Sequence, residues 1–357
     1  MKLIMDKQSA HKKSSWKRRL VTPSLLMMLC SLVLPMEAVG AMDSVSSLEP
    51  SEAIVFNAAT LNVTQKTIVV DRNGSGQFKT VQSAINSIPS GGTTQYKIEI
   101  KKGTYYEKIN IPSSKPSIRL VGESAGNTIL TFNDTNSSAG GTTKSASTTV
   151  RSKDFHAENI TFSNTAGRNA GQAVAIYVAS DRATFRNVRM LGYQDTLYAH
   201  SGRQLYENCY IEGTVDFIFG GATAVFKNSE IRSLGNGYIT AASTDAGAKY
   251  GYVFIDCRLT QSSGGGYQVY LGRPWRPYSA VIFMTTWMDG HIRPEGWNNW
   301  NDAANEKTAR YAEFNNSGPG WNKRARVRWA STLSAQQASG INVYSVLAGN
   351  EGWNPYK

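Results

Sequence analysis

The amino-acid sequence predicts an all-β fold, a parallel β-helix in which one chain winds as a single-stranded solenoid. A unit with an aromatic residue followed two to four residues later by Asn or Asp recurs at steps of 28, 21, 20 and 28 residues. Such steps fall within the range of about 20 to 50 residues that marks solenoid repeats. Each unit also contains about five residues that alternate between apolar and polar, too short a run for a helix. The polar positions are Asn159, Asn187, Asn208, Asn228 and Asp256, and a less clear copy begins at Phe283.

The first 41 residues have the organisation of a secretory signal. Five Lys or Arg residues between positions 12 and 19 precede an apolar run from Leu25 to Leu34, and small residues follow at positions 38, 40 and 41. A membrane anchor would need roughly 20 apolar residues, and this run is far shorter. We therefore expect residues 1–41 to be a cleaved signal and the protein to be secreted to the extracellular space and cell wall, without membrane attachment after processing. Six sequons would permit glycosylation on a eukaryotic secretory route, at Asn62, Asn73, Asn133, Asn136, Asn159 and Asn315.

The remaining chain divides into a short tether and one large domain. Residues 42–65 show no periodicity and are predicted to be the tether, and residues 66–357 are predicted to form the β-helix domain. Apolar residues at helical spacing predict an amphipathic helix over 77–88, which we expect to cap the open end of the solenoid. The Gly-, Ser- and Thr-rich stretch 133–149 is predicted to be a loop on one face. Strands are predicted at 66–71, 96–100, 109–111, 118–121 and 128–132, with a turn at 72–76.

The cysteine content excludes a disulfide framework. The chain has three Cys, and Cys30 lies within the signal. Cys209 and Cys257 occupy equivalent repeat positions two coils apart, which is roughly 10 Å by strand spacing and too far for a disulfide. We expect both to be buried thiols.

The charge of the chain favours an acidic polysaccharide as the partner. The formal net charge is +12, and residues 1–41 contain seven basic and two acidic residues, so the processed chain carries +7. An exported protein with this charge is attracted to polyanions. Because no basic run interleaved with aromatic residues follows Arg19, nucleic acid is not expected as a partner.

Two aspartates occupy the same place in successive repeats. Asp195 and Asp216 each lie eight residues beyond the Asn of their unit. In a parallel β-helix their side chains would emerge about 5 Å apart on one surface, which is one strand spacing. Two carboxyl groups at this separation cannot both ionise freely, so one holds a proton while the other stays anionic. Such a pair is typical of a general acid beside a nucleophile or base, although a lone Asp in a turn usually serves local hydrogen bonding.

Five ordered motifs resemble those of the pectin methylesterase family, and residues 311–320 resemble that family's C-terminal signature. The likeness extends roughly from Thr67 to Asn350. It implies a right-handed parallel β-helix that hydrolyses the methyl esters of galacturonate units in pectin, a methylated homogalacturonan, without a metal or other cofactor. We expect the enzyme to be a monomer. The motifs are Gly103-Thr104-Tyr105-Tyr106-Glu107, Gly171-Gln172-Ala173-Val174-Ala175, Gly192-Tyr193-Gln194-Asp195-Thr196-Leu197-Tyr198, Gly213-Thr214-Val215-Asp216-Phe217-Ile218-Phe219-Gly220 and Leu271-Gly272-Arg273-Pro274-Trp275.

The resemblance also implies roles for individual residues. Asp216 matches the nucleophile, and Asp195 matches the acid and base. Gln172 and Gln194 match the donors to the oxyanion, whose loss typically costs about 3 to 4 kcal/mol each. Arg273 matches the group that holds the nucleophile.

Several further residues are expected to contact the substrate. Gln172 and Arg273 are predicted to touch it as well as the reacting groups, and Trp275 matches a residue that holds the sugar. Thr143 matches a contact residue in the preceding loop, with Thr142 as the alternative because the local alignment is one residue short. Further subsites are predicted at Tyr198, Phe219 and Trp297.

Three alternatives stay open at this point. A pectate or pectin lyase on the same kind of solenoid would need clustered acids for Ca²⁺ and an Arg base, whereas only two stacked Asp are evident. A non-catalytic pectin-binding protein would lack one of Asp195, Asp216 or Arg273, and the sequence retains all three. An aspartic protease is suggested by Asp195-Thr196, but no second Asp-Thr-Gly motif occurs. The methylesterase is the favoured hypothesis.

Overall fold

Each coil of the chain contributes up to three short strands, one to each of three faces that run along the solenoid. The computed structural model describes residues 65–357. All pairings between neighbouring coils in this part are parallel, as the sequence predicts for a parallel β-helix. The predictions for the signal and tether fall on residues outside the described part, except that the first strand begins at Gln65, one residue before the predicted domain.

Within residues 65–357 the first face is an eleven-stranded sheet. Its members run in order along the solenoid and include the first strand of the domain. They are Gln65–Val70, Gln95–Ile100, Ile118–Gly122, His156–Glu158, Ala183–Arg186, Arg203–Glu207, Thr223–Lys227, Tyr252–Ile255, Ala280–Met284, Arg310–Phe314 and Ser331–Thr332.

The second and third faces are joined because two long strands, Tyr210–Gly220 and Glu230–Ala242, bend from one face to the other. The second face also contains Gly103–Tyr106, Thr128–Phe132, Thr161–Asn164, Arg189–Leu191, Arg258–Gln261 and Trp287–Met288. The third face also contains Ile109–Ile111, Thr148–Val150, Ile176–Ala179, Leu197–Ser201 and Val269–Pro274. The corner between these two faces carries the candidate site.

The recurring unit in the sequence corresponds to a stacked interior and a sharp corner. The aromatic residues of successive units stack inside the solenoid, with ring centroids of Phe226 and Phe254 4.4 Å apart and those of Phe254 and Phe283 4.3 Å apart. The Asn or Asp that follows adopts left-handed backbone, with φ of 53° at Asn208 and 55° at Asp256. Asn and Asp tolerate this conformation better than other residues with a side chain, which explains why they recur at the corner.

The N-terminal helix is shorter than predicted. It spans Val81–Ser87, because the Thr80 side chain accepts a hydrogen bond from the Ser83 amide at 3.2 Å and so caps the helix there. The preceding Phe78 pairs instead with the first strand at Val70. The helix buries its apolar face in the interior core, as expected for a cap on the solenoid end.

The predicted loop at 133–149 contains regular structure. It includes the helix Asn136–Ala139, a 3₁₀ turn at Thr143–Ser145 and the start of the strand Thr148–Val150. Two C-terminal helices were not predicted from the sequence, Ala335–Ser339 and Val343–Leu347. They cover an apolar part of the first face formed by Leu205, Val225, Val253 and Met284. No helix within residues 65–357 has the length and apolar character needed to cross a membrane.

Both cysteines of the domain are buried free thiols, as predicted. Ser229 occupies the coil between them, and its hydroxyl accepts a hydrogen bond from the Cys209 amide at 3.0 Å. Burial raises the pKa of each thiol to about 12, so both stay protonated and unreactive at neutral pH.

Candidate active site

Asp195 and Asp216 lie at the corner between the second and third faces, in adjacent coils. Each stands two residues before a paired strand position, since Leu197 aligns with Ile218. The Asp195 amide also donates to the Val215 carbonyl at 3.1 Å, which joins the two corners directly. Both aspartates are 7% exposed. The register therefore places the two carboxyl groups at the same position of neighbouring coils.

The local sequence Gly-X-X-Asp is present at both corners, where the chain passes from the second face to the third. Asp195 and Asp216 have φ of 67° and 51°, in the left-handed region. A side chain at Gly213 would collide with the Cβ of Phe217, so the turn requires glycine there. Asp tolerates this conformation better than most residues with a side chain, so the residue type fits the backbone of both corners.

Arg273 binds the carboxylate of Asp216 in a bidentate manner. Its Nε and Nη2 donate to the two carboxylate oxygens at 2.9 and 2.7 Å. The side chain comes from the strand Val269–Pro274, two coils further on, where Arg273 aligns with Ala241. This pairing is charge-assisted and fixes the orientation of the Asp216 carboxylate.

The two carboxyl groups have unequal proton affinities. Burial, followed by the charge of Asp216, raises the pKa of Asp195 to about 8. Burial also raises the pKa of Asp216, but the hydrogen bonds and charge of Arg273 oppose that rise. At neutral pH Asp195 therefore carries the proton and Asp216 is the anion.

A cavity of about 610 Å³ opens over the two aspartates. Gln172 and Gln194 line it and are half-buried. Their backbone carbonyls are bound by the amides of Asn136 and Ala173, at 2.8 and 3.2 Å, which fixes the backbone of both residues. Within residues 65–357 neither side-chain amide has a hydrogen-bond partner, so both can donate to a bound group.

Aromatic side chains form one wall of the cavity. Tyr198 stacks on Phe219 with ring centroids 4.1 Å apart, and Trp275 lies 5.9 Å from Phe219. These rings pack on the outside of the third face, where Tyr198 and Phe219 are register partners. Aromatic faces flanked by polar groups suit a sugar ring, which has both apolar C–H faces and hydroxyl groups.

The structure brings the predicted residues together around the cavity, with the exception of Trp297. Thr142 and Thr143 both line the cavity, but the Thr142 hydroxyl accepts a hydrogen bond from Asn136 at 2.6 Å, whereas Thr143 is exposed. The prediction for Trp297 was wrong, because this residue is 1% exposed in the interior core and donates to Glu313 at 3.2 Å.

Trp300, which was not predicted as a site residue, lines the cavity instead of Trp297. Its φ of 61° is an outlier for a bulky residue. The polar run Asn298-Asn299 before it is the signal that could have indicated an exposed corner.

The described residues offer no ligand set for the calcium-dependent lyase alternative. Among residues 65–357 no group of three or more His, Cys, Asp or Glu side chains converges as a metal site requires. Of the two stacked aspartates, Asp216 forms an ion pair with Arg273, and the charge of Asp216 contributes to the raised pKa of Asp195.

Comparison with known proteins gives one consistent family. The Pectinesterase family model matches residues 67–350. Pectinesterase 31 of Arabidopsis thaliana is 42% identical over 286 residues, which is 77% of this chain and 90% of that protein. The chain spans about half the length of several other curated relatives.

Solved structures give the same result. The pectin methylesterase from carrot has a TM-score of 0.76 and 35% identity, over 80% of this chain and 93% of that one. A pectin methylesterase in complex with a hexasaccharide has a TM-score of 0.71 and 32% identity, over 81% of this chain and 98% of that one. The chain belongs to the pectinesterase family.

Proposed function

We propose that this pectinesterase removes the methyl esters of galacturonate units in pectin through an acyl-enzyme on Asp216, with Asp195 as general acid and then general base. One observation carries the mechanism: a carboxylate held by Arg273 lies beside a buried carboxyl group that keeps its proton at neutral pH. Such a pair supplies a nucleophile and an acid from the same residue type.

In the first step an Asp216 oxygen attacks the ester carbonyl carbon. A bond forms between them, and the carbonyl electron pair moves to its oxygen. The amides of Gln172 and Gln194, both lining the cavity, stabilise that negative charge. When the tetrahedral intermediate collapses, the bond to the methoxy oxygen breaks and Asp195 transfers its proton to that oxygen. Methanol leaves, and Asp195 is now ionised.

In the second step the ionised Asp195 takes a proton from water, and the resulting hydroxide attacks the galacturonyl carbonyl. The bond to the Asp216 oxygen breaks, which regenerates the carboxylate that Arg273 holds. The product is a carboxylic acid on the polymer, which releases its proton to the solvent and becomes a carboxylate, and Asp195 is protonated again. Both carboxyl groups return to their starting states without any other reactant than water.

Specific residues are suited to orient the sugar. Trp275 and Trp300 line the cavity and offer aromatic rings to the pyranose, and exposed Thr143 offers a hydroxyl from the 3₁₀ turn Thr143–Ser145. The direct test is methanol release from highly methyl-esterified pectin by the folded protein. Release of methanol with a matching rise in titratable carboxylate is expected, and its absence would refute the proposed activity.

Removal of one oxyanion donor gives a graded test of the first step. Gln194→Ala is expected to lower kcat by about 10² to 10³-fold, because one hydrogen bond to the developing oxyanion is lost. Since this bond strengthens only in the transition state, KM should change little. Gln268→Ala is the matched control, because Gln268 is exposed and lies outside the cavity. Equal kcat values for the two variants would remove Gln194 from the mechanism.

We also propose that the protein is exported to the cell wall and glycosylated, and that it acts as a monomer without nucleic-acid or membrane partners. The signal-like residues 1–41 and the sequons support export. Of the sequon asparagines in the described part, Asn73, Asn133 and Asn315 are exposed, and these are the favoured acceptors. Mass determination of the secreted protein before and after removal of N-linked glycans tests this assignment.

A further inference from the structure

Arg273 lies between two aromatic rings. Its guanidinium carbon is 3.7 Å from the ring centroid of Trp300 and 3.8 Å from that of Tyr238. The edge of the same guanidinium donates both hydrogen bonds to Asp216. Both faces of the cation are therefore covered, and its hydrogen-bonding edge is directed at the carboxylate.

The Tyr238 ring is itself stacked on a second tyrosine ring. Tyr270 aligns with Tyr238 in the neighbouring coil, and the two rings stack 5.4 Å apart with an interplanar angle of 10°. The guanidinium carbon of Arg293 lies over the Tyr270 ring, 4.9 Å from its centroid, and the Arg293 Nε is 3.5 Å from a Glu295 carboxylate oxygen. The result is a series of consecutive contacts that runs through Arg293, Tyr270, Tyr238, Arg273 and Trp300.

The two rings that contact Arg273 differ in their access to substrate. Trp300 lines the cavity, so its loss would affect both the sugar and the arginine. Tyr238 does not line the cavity and is half-buried on the long strand that bends between the second and third faces. The contact that links Tyr238 to the reacting groups is therefore its contact with Arg273.

We propose that Tyr238 is a positioning residue that holds the Arg273 guanidinium edge-on to the Asp216 carboxylate and so keeps the nucleophile aimed and ionised. This inference rests on the proposed role of Asp216. A cation over an aromatic face is attracted by the negative ring surface, most strongly where water is excluded. A guanidinium that is fixed on both faces loses less conformational freedom when it binds a carboxylate.

The charged and titratable groups around Asp216 determine how the positioning role of Tyr238 can be measured through the pKa of Asp216. They are Asp195 from the preceding coil, Arg273 and Tyr238 from the following coils, and Tyr311 from the interior, whose pKa is raised in part by Asp216. Of these, Arg273 is the group that opposes the rise in the pKa of Asp216. Looser binding of Arg273 therefore raises the pKa of Asp216, and more of the nucleophile is protonated at a given acidic pH.

The test compares Tyr238→Leu with Tyr238→Phe on methyl-esterified pectin. Tyr238→Leu removes the ring, and we expect kcat to fall about tenfold, which corresponds to about 1.4 kcal/mol, with KM within about twofold of the unaltered enzyme. The acidic limb of the kcat/KM profile should move to higher pH. Tyr238→Phe keeps the ring and should restore kcat and the position of the acidic limb.

Tyr344→Leu is the matched control, because Tyr344 is an exposed tyrosine on a C-terminal helix that packs on the first face. Thermal unfolding of each variant separates a folding defect from a catalytic one. The inference is overturned if folded Tyr238→Leu keeps its kcat and acidic limb, or if Tyr238→Phe loses as much as Tyr238→Leu. Failure of the proposed function would instead appear as full activity of an Asp216 variant.

Discussion

Asp216→Asn is expected to lower methanol release from pectin by about 10⁴-fold or more. The reason is that the side-chain amide cannot act as the nucleophile that forms the acyl-enzyme bond to the ester carbonyl carbon. The substitution conserves volume, and the Asn oxygen can still accept a hydrogen bond from Arg273. The fold and substrate binding should therefore persist. Initial rates of methanol release, with polymer binding measured separately, check both parts of this expectation.

The chain provides a matched control for Asp216→Asn. Asp256 also adopts left-handed backbone at a corner of the solenoid, with φ of 55° compared with 51° at Asp216. It is exposed, outside the cavity, and accepts a hydrogen bond from the Thr285 hydroxyl at 2.6 Å. Asp256→Asn should retain full activity. If Asp216→Asn is as active as Asp256→Asn, Asp216 is not the nucleophile.

Asp195→Asn is expected to lower kcat on pectin by about 10² to 10⁴-fold, because methoxide then leaves without a proton. Asp195 is neutral in the resting state, since its pKa is raised to about 8, and Asn preserves that neutrality. The charge around Asp216 therefore stays nearly the same, and we expect KM to be nearly unchanged. Steady-state kcat and KM on methyl-esterified pectin measure these effects.

A substrate with a better leaving group separates the two functions of Asp195. A p-nitrophenyl ester of a galacturonate oligomer needs no proton to depart, so Asp195→Asn should still be acylated by it. Without a base for water, the acyl-enzyme should then accumulate, giving a burst of phenolate and a mass increase on a peptide that contains Asp216. A variant that turns over this ester at the rate of the unaltered enzyme, without a burst, would show that Asp195 is not the base.

The repeat in the sequence was enough to predict the fold and the stacking of the two acids, for a physical reason. A solenoid forms its contacts between neighbouring coils, so a regular spacing in sequence is also a spacing in space. Asn208 and Asp256 mark corners because few other residues tolerate left-handed backbone. The eight-residue offset from Asn187 to Asp195 and from Asn208 to Asp216 therefore became a shared position in adjacent coils.

Features that depend on irregular segments could not be predicted in this way. Trp297 and Trp300 stand three residues apart, yet the first is core and the second lines the cavity. Both residues lie in an irregular loop, and because its backbone has no repeat, the burial of each side chain cannot be inferred from its position in the sequence. The C-terminal helices were missed because each has five residues, too few for a helical pattern to stand out. The contact of Tyr238 with Arg273 joins residues 35 positions apart and has no local signature.

The central claim is that one of two stacked carboxyl groups keeps its proton at neutral pH while its neighbour does not. Infrared difference spectra of the carboxyl groups, recorded from about pH 5 to about pH 10, measure this directly. We expect a protonated carboxyl group that loses its proton as the pH rises through about 8 and that is absent from Asp195→Asn. No such transition in this range, or one that persists in Asp195→Asn and disappears in Asp216→Asn, would contradict it.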